Sequence, residues 1–436
     1  MDKIREFVSQ DRKRFFRKPD FSRLRDPAYK KYLIRRTIIY IFLAFFVTAF
    51  MLLLSASTSP LYTDYCDGDS SIFILIGKSI SMGNIVYTDF FDHKGHILFY
   101  INALGYMITG TKTGVFIIQC FMMWLTSVFM YKTARIFTKT FRSLICVIVS
   151  LLAFASTISD GNLSEEYCLL FCMIPIYLSI KHITKNADAP HRRCYMFIYG
   201  VCFAVCAFIR INNGIMIGGI VLVTLVTDFT NDHAYASLKN LLFFMLGIAA
   251  VFAPICLFFL IKGTLSDMIF ATFTFNLLYA SEGSAEKTGS AVTLLLQWAL
   301  PVLVLIFITT VFSKRLNPRI ASLITTISVF SLIPVLLGFS YTHYYTSLIP
   351  IILIYTSVFF FIGCRKITFL SVLLCIVMAL PLYSYFITLP SNVHHYANKL
   401  YKQNNPTVYK DIHTDIYYSA TELTSHIPEN ERDSVF

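Results

Sequence analysis

Charge is what this sequence lacks most. Asp, Glu, Lys and Arg together make up 14% of its 436 residues, where an average soluble domain carries about 25%. That deficit excludes a disordered chain, a fibrous repeat and an ordinary soluble enzyme. Cysteine outside the apolar runs is also nearly absent. Of eleven cysteines, only Cys66 stands clearly in a polar loop, so there is no disulfide framework. The pairs Cys168/Cys172 and Cys202/Cys206 have the i,i+4 spacing of a metal face, but small lipid- or helix-facing residues explain them better. What is abundant is apolar surface: 56% of residues are hydrophobic and the mean hydropathy is +0.63.

About 20 apolar residues cross a hydrocarbon core of about 30 Å. Such runs lie near 37–56, 114–131, 143–159, 167–184, 195–210, 213–229, 240–261, 291–312, 320–339, 347–363 and 367–389. A further run at 97–109 is ambiguous. If it crossed, the basic loop with Lys132, Arg135, Lys139 and Arg142 would fall outside and every later loop would invert. As a juxtamembrane or partly inserted helix, it leaves that loop and those at 181–194, 313–319 and 364–366 in the cytoplasm, as the positive-inside rule requires.

The expected fold is therefore an all-α polytopic membrane protein of about eleven transmembrane helices, within a range of ten to thirteen. It has three parts: a basic cytoplasmic segment at 1–36, a membrane domain at 37–389 and a short extracytoplasmic tail at 390–436. Residues 1–36 hold thirteen Lys or Arg against five acids, most of the net +12. Contact with anionic headgroups explains that excess better than nucleic acid does, and no nucleic-acid partner is expected. The first span reads as a signal anchor. The expected location is a bacterial cytoplasmic (inner) membrane with the N-terminus inside.

The first outer loop, 57–96, is unusually rich in chemistry. Asp64, Asp67, Asp69, Asp89 and Asp92 stand beside Lys78, His93, Lys94 and His96. The spacing predicts an amphipathic helix over 69–82, with Ile72, Phe73, Ile76 and Ile80 on one face, ended by Gly83. Asp67 and Asp69 fall at its N-terminal end, where the helix dipole favours carboxylates. Two roles fit Asp69: an N-cap, or a general base taking a proton from an acceptor hydroxyl as a phosphate leaves. The Asp67-Gly68-Asp69 string also has the form of a metal-binding DxD. No cofactor is required, and a divalent metal (Mg or Mn) on Asp67, Asp69 and Glu165 stays an open alternative.

The order of motifs is Asp-x-x-x-Phe on a surface helix, then Gly83-Asn84-Ile85-Val86-Tyr87-Thr88-Asp89, then Asp92-His93-Lys94-Gly95-His96 and an apolar run from Leu98 to Gly105. It resembles the GT-C membrane glycosyltransferases, in the style of the bacterial protein mannosyltransferase-like and aminoarabinose-transferase-like branch. The resemblance covers about 57–135. It implies a GT-C-type helical bundle with Asp69 as the better candidate base and Asp67 second. It also implies that Lys94 lies near the acid and a lipid phosphate. Many such enzymes carry Lys-Pro-Pro where this chain has Lys94-Gly95-His96. As alternatives, Lys94 pairs with Asp92 or snorkels to headgroups.

Three further constellations lie at the same membrane face. In the second outer loop, Glu165 or Glu166 suits an acid facing Asp69, or both cap the next helix behind Ser164. Arg210, in Arg210-Ile211-Asn212-Asn213-Gly214, suits a phosphate through its planar fork, or snorkels. His343, Tyr344 and Tyr345 suit a leaving phosphate or a sugar, or form an interfacial aromatic belt. A helix over Met268, Ile269, Phe273 and Leu277 is expected to lie on the surface over a donor groove.

The expected function is transfer of a sugar from a polyprenyl-phosphate-linked donor to a cell-envelope glycan, lipid or protein acceptor on the extracytoplasmic face, with inversion. Membrane lipids are its other partners, and the sequence leaves the oligomeric state open. The alternatives are a lipid-linked-sugar flippase or transporter, or an envelope polysaccharide polymerase. Alternating access needs a polar site near the midplane, whereas the polar residues here collect at the outer ends of the runs.

Overall fold

A computed structural model describes residues 26–62, 68–186, 188–279, 299–307, 311, 316–336, 341–362 and 382–404. Within them the chain is helical throughout and forms no strand. Helix α1 spans Pro27–Leu54, α2 Asp69–Ser81, α3 His96–Thr109, α4 Lys112–Phe137, α5 Thr140–Ala155, α6 Ser164–Lys185 and α7 Arg193–Arg210. Helix α8 spans Ile215–Thr230, α9 Ala234–Ile261, α10 Leu265–Ile269, α11 Pro318–Leu336, α12 Ile349–Ile362, α13 Tyr383–Ile387 and α14 Leu389–Gln403.

Seven helical runs among the described residues are long and apolar enough to cross a membrane. One of them, Arg193–Thr230, is two helices. The chain is extended at Arg210 and makes a 3-10 turn over Ile211–Gly214. The His191 amide before α7 donates to the Asp228 carboxylate at the far end of α8, at 3.1 and 3.2 Å. Asn240 of α9 donates to the same carboxylate at 2.8 Å. The two helices are therefore an antiparallel hairpin, with the turn where the sequence puts it. The expected total of eleven is not reached in what is described: α5 has only 16 residues, and the runs near 291–312 and 367–389 lie mostly outside the described residues.

The run 97–109 becomes α3, 14 residues long, about 21 Å at 1.5 Å per residue and short of a hydrocarbon core. Its start and its middle are held at one end of the bundle. Gly95, just before it, donates to Ile209 O at the end of α7 at 3.1 Å. Asn162 of the loop before α6 donates to Asn102 in the middle of α3 at 2.9 Å. Beyond α3, Gln119 accepts from Ser55 and Thr58, which follow the end of α1. Helix α3 lies along this end of the bundle.

Helix α2 forms as expected, from Asp69 to Ser81, and Gly83 follows at φ 103°. Its buried face keeps Phe73 and Ile76 of the expected four, with Ile80 partly buried, and turns Ile72 outward. Ser70, Phe73, Ile74 and Gly77 point inward against α3, while Ile72 and Leu75 are exposed. Burial follows 70, 73, 74 and 77, so Ile72 belongs to the opposite face. Phe73 packs edge-on against Phe99 of α3 at 5.9 Å. In the surface element at 265–279 the expected face is also broken. Five residues, Phe270–Thr274, form a π-turn, which rotates the helix, so Met268 is buried while Leu277 is 71% exposed. The four membrane cysteines of the i,i+4 pairs are all buried. They face neighbouring helices rather than lipid: the Cys206 thiol of α7 points at Cys168 O of α6, and the Cys172 thiol at Asn213 O.

Gly95 is required by close approach rather than by its dihedrals. Its φ of −70° and ψ of 144° suit proline. Yet its N–H is used by Ile209 O, and a Cβ would sit 2.0 Å from Phe208 O. Proline would therefore not fit at position 95, where the loop is pressed onto the end of α7. Gly95→Ala is expected to lower the melting temperature of the purified protein, at about 1–3 kcal/mol for forced overpacking. An unchanged melting temperature would contradict this packing.

Candidate active site

The loops and helix ends at the α2 side of the bundle build one site. Its first part is the loop before α3. Tyr87 holds it in shape from a left-handed backbone, φ 74°. Its hydroxyl donates to Lys94 O at 2.7 Å and accepts from Thr272 Oγ1 at 3.1 Å. Asp92 accepts the Lys94 amide at 2.8 Å. The Lys94 ammonium sits 2.8 Å from His93 Nε2. An ammonium only donates, so that nitrogen is the bare acceptor and Nδ1 carries the proton, facing Asp92 at 3.9 Å. Burial, then the Lys94 and Arg210 charges, hold the His93 imidazole down to about 4. Burial and Arg210 also lower the Lys94 ammonium, while Asp92 and Asp69 oppose them. Burial raises the Asp92 carboxyl against the pull of Lys94.

The second part is a buried ion pair. Arg210, in the last turn of α7, contacts Glu165, in the first turn of α6. Ser164 donates to the other Glu165 oxygen at 2.9 Å. The guanidinium lies over the Tyr344 ring, 3.7 Å from its centroid, a cation–π contact. Tyr344 belongs to the 3-10 turn Thr342–Leu348, where His343 stacks on Tyr341 at 5.6 Å.

The third part is Asp69, the first residue of α2. Gly68 holds the N-cap position, so Asp69 is not the cap. Among the described residues its exposed carboxylate makes no hydrogen bond. It lies in electrostatic reach of Lys94, Arg210, His93 and His343. It also borders a cavity of about 460 Å³ lined by Ser57, Ser70, Asp160, His343, His395 and Tyr396, among others. Asp69 and His343 touch the cavity, whereas Lys94 and Arg210 do not line it.

Asp69, His93, Lys94, Glu165, Arg210, His343 and Tyr344 thus come together as the sequence suggested. Two expected members do not join them. Glu166 turns into the bundle, where it accepts from Gln119 at 2.9 Å and from the Asn162 amide at 3.1 Å; one position along a helix rotates a side chain by about 100°. Tyr345 is 1% exposed and packs in the core. Asp67 lies outside the described residues. Of the donors in the metal alternative, Glu165 is taken by Arg210 and Ser164 and Asp67 lies outside the described residues, among which no three His, Cys, Asp or Glu side chains are grouped to hold an ion.

Sequence reading missed Asp160 and α14. Ser159, Asp160, Gly161 and Asn162 all have left-handed φ, a strained run that aims Asp160 into the cavity. The Asp-Gly-Asn string was its only signal.

Residues 33–364 match the family of the competence-induced protein Ccs4 N-terminal domain. The chain belongs to this family. The family's description names no glycosyl transfer. A comparison with curated proteins gave no match. Among solved structures, the oligosaccharyltransferase of Archaeoglobus fulgidus, crystallised with Zn and sulfate, is 12% identical with a TM-score of 0.45. The match covers 81% of this chain and 53% of that one, so this chain spans about half its length. A likeness this low bears no functional weight.

Two outcomes follow for the site as a built object. Glu165→Ala leaves Arg210 buried without its counter-charge and is expected to cost about 3–5 kcal/mol in unfolding experiments; a loss below about 1 kcal/mol would mean the pair is not buried in solution. For His93, an unfolded imidazole titrates near 6.5, above its folded value of about 4. Between those values the unfolded chain binds the extra proton, so stability falls as pH drops from about 6.5 to about 4. His93→Gln should flatten that slope in melting curves; an unaltered slope would count against it.

Proposed function

We propose that this chain is an integral membrane glycosyltransferase. It takes a sugar from a polyprenyl-phosphate-linked donor and passes it to a hydroxyl acceptor on the extracytoplasmic face, with inversion. One observation carries the reading: Asp69 stands between a cationic cluster, Lys94 and Arg210, and a polar cavity that those cations do not line.

In a single displacement the base and the leaving group work on opposite sides of the reacting carbon. The acceptor oxygen, lying in the cavity, attacks the anomeric carbon. Its proton passes to the Asp69 carboxylate, and the bond from the anomeric carbon to the phosphate oxygen breaks. The phosphate leaves with both bonding electrons. Lys94 and Arg210 meet that growing charge from fixed positions in a partly dried site, where they act more strongly than in water. Arg210 is suited to this because its five N–H donors exceed what the Glu165 carboxylate occupies. The neutral His93 leaves the Lys94 ammonium free of a competing carboxylate contact. His343 lies at the junction of cavity and cluster, beside the path of the transferred sugar.

General-base catalysis contributes about 10²–10⁴-fold. Asp69→Asn in the purified, properly inserted chain is therefore expected to lower transfer from a polyprenyl-phosphate sugar by about that factor. Full activity in that variant would remove Asp69 from this role. Lys94→Ala should lower it by about 10²–10³-fold, the usual loss for one preorganised charge-stabilising donor.

A further inference from the structure

The cavity beside Asp69 has a wall from far along the chain. Helix α14 is tied to this end of the bundle through the second outer loop. The Asp160 amide donates to Tyr396 Oη at 3.1 Å, and the Asp160 carboxylate faces Lys399 at 3.6 Å and His395 at 4.0 Å. Asn392 donates to Ala155 O at 3.1 Å, and Gln403 to Leu61 O at 2.9 Å. Asn392, His395 and Tyr396 thereby close the side of the cavity away from Lys94 and Arg210.

Two buried hydroxyls stand in the wall of this space without a hydrogen-bond partner among the described residues. Ser57 and Ser70 are 1% and 4% exposed, both line the cavity, and neither Oγ has a hydrogen-bond partner among the described residues. An unpaired buried hydroxyl costs about 1–3 kcal/mol, a cost that a side-chain rotation toward a hydroxyl bound in the cavity would recover. The remaining lining residues are mainly serine, threonine, asparagine and histidine, with Leu163 as the aliphatic member. Asp160 is already balanced by Lys399. A volume of about 460 Å³ falls in the usual range for small-molecule sites.

We infer that this cavity is the acceptor subsite, that it takes a saccharide, and that α14 is its specificity-determining wall. The inference rests on the transferase reading above and narrows its acceptor to a carbohydrate hydroxyl. Each sugar hydroxyl both donates and accepts, which matches a lining of neutral hydroxyl and amide groups. A lipid acceptor would need an apolar lining, and a peptide would need a longer groove than a space of about 460 Å³.

The test uses the full chain in nanodiscs and two probes. A panel of methyl pyranosides and short oligosaccharides is screened by saturation-transfer NMR, and undecaprenyl phosphate binding is measured separately. The wild type should bind at least one saccharide. Ser70→Val, which replaces the hydroxyl and one hydrogen on Cβ by two methyls, and His395→Ala, on a side chain 63% exposed, should each weaken that binding by about tenfold. Undecaprenyl phosphate affinity should stay within about twofold. His395→Ala cannot unfold the core, so it keeps the test decisive if Ser70→Val is unstable. No saccharide binding, or binding that neither variant alters, overturns the inference. Turnover of a polyprenyl-phosphate sugar with a peptide or lipid acceptor alone overturns it while sparing the transferase reading. Saccharide binding by a chain that neither binds nor turns over the lipid phosphate does the reverse.

Discussion

Glu165 and Arg210 are withdrawn from water together, and the geometry of this end of the molecule follows from that. An isolated charge in such a place costs several kcal/mol, so each needs the other. Glu165 begins α6 and Arg210 ends α7. A carboxylate at a helix N-terminus and a guanidinium at a C-terminus each also meet a favourable dipole end. The pair therefore sets the relative height of two adjacent helices. It also recruits a third element, because the Arg210 face not used by Glu165 carries Tyr344. With α7 fixed, Phe208 and Ile209 present carbonyls to Gly95, and the Lys94 loop is pressed into place.

The chemistry depends on what this frame holds apart. Lys94 and Arg210 repel one another, and each lowers or competes with its neighbours' protonation. Glu165 answers the Arg210 charge and Asp92 and Asp69 stand within reach of Lys94, and the Arg210 donors that Glu165 leaves open suit an anion. Asp69 supplies negative charge from the other side, on a helix whose inner face is locked to α3. A base fixed between a cation cluster and a hydroxyl-lined space requires no large motion to serve a displacement reaction.

Much of this was legible in the sequence because membrane insertion makes polar residues expensive. In a chain with 14% charged residues, the few at the ends of apolar runs stand out, and Arg210 and the Glu165/Glu166 pair were found that way, while the family resemblance chose Asp69 and Lys94 from the first outer loop. The turn at Arg210 and the helix at 69–81 were legible for related reasons, a charge inside an apolar run and a glycine after an amphipathic one. What failed was rotation and long-range docking. Ile72 and Ile74 are equally apolar, and only packing against α3 decides which is buried. Glu165 and Glu166 differ by one residue, and only the position of Arg210 tells them apart. Asp160 takes its meaning from left-handed backbone and from α14, more than 200 residues away, and no local pattern announces such a contact.

The most direct measurement is an electron cryomicroscopy map of the full chain in nanodiscs with bound undecaprenyl phosphate. The account predicts density for the phosphate between Lys94 and Arg210, within hydrogen-bond distance of both, with its sugar-bearing oxygen directed toward Asp69. A phosphate bound at the opposite end of the bundle, or one at the Asp69 end that touches neither cation, would contradict it.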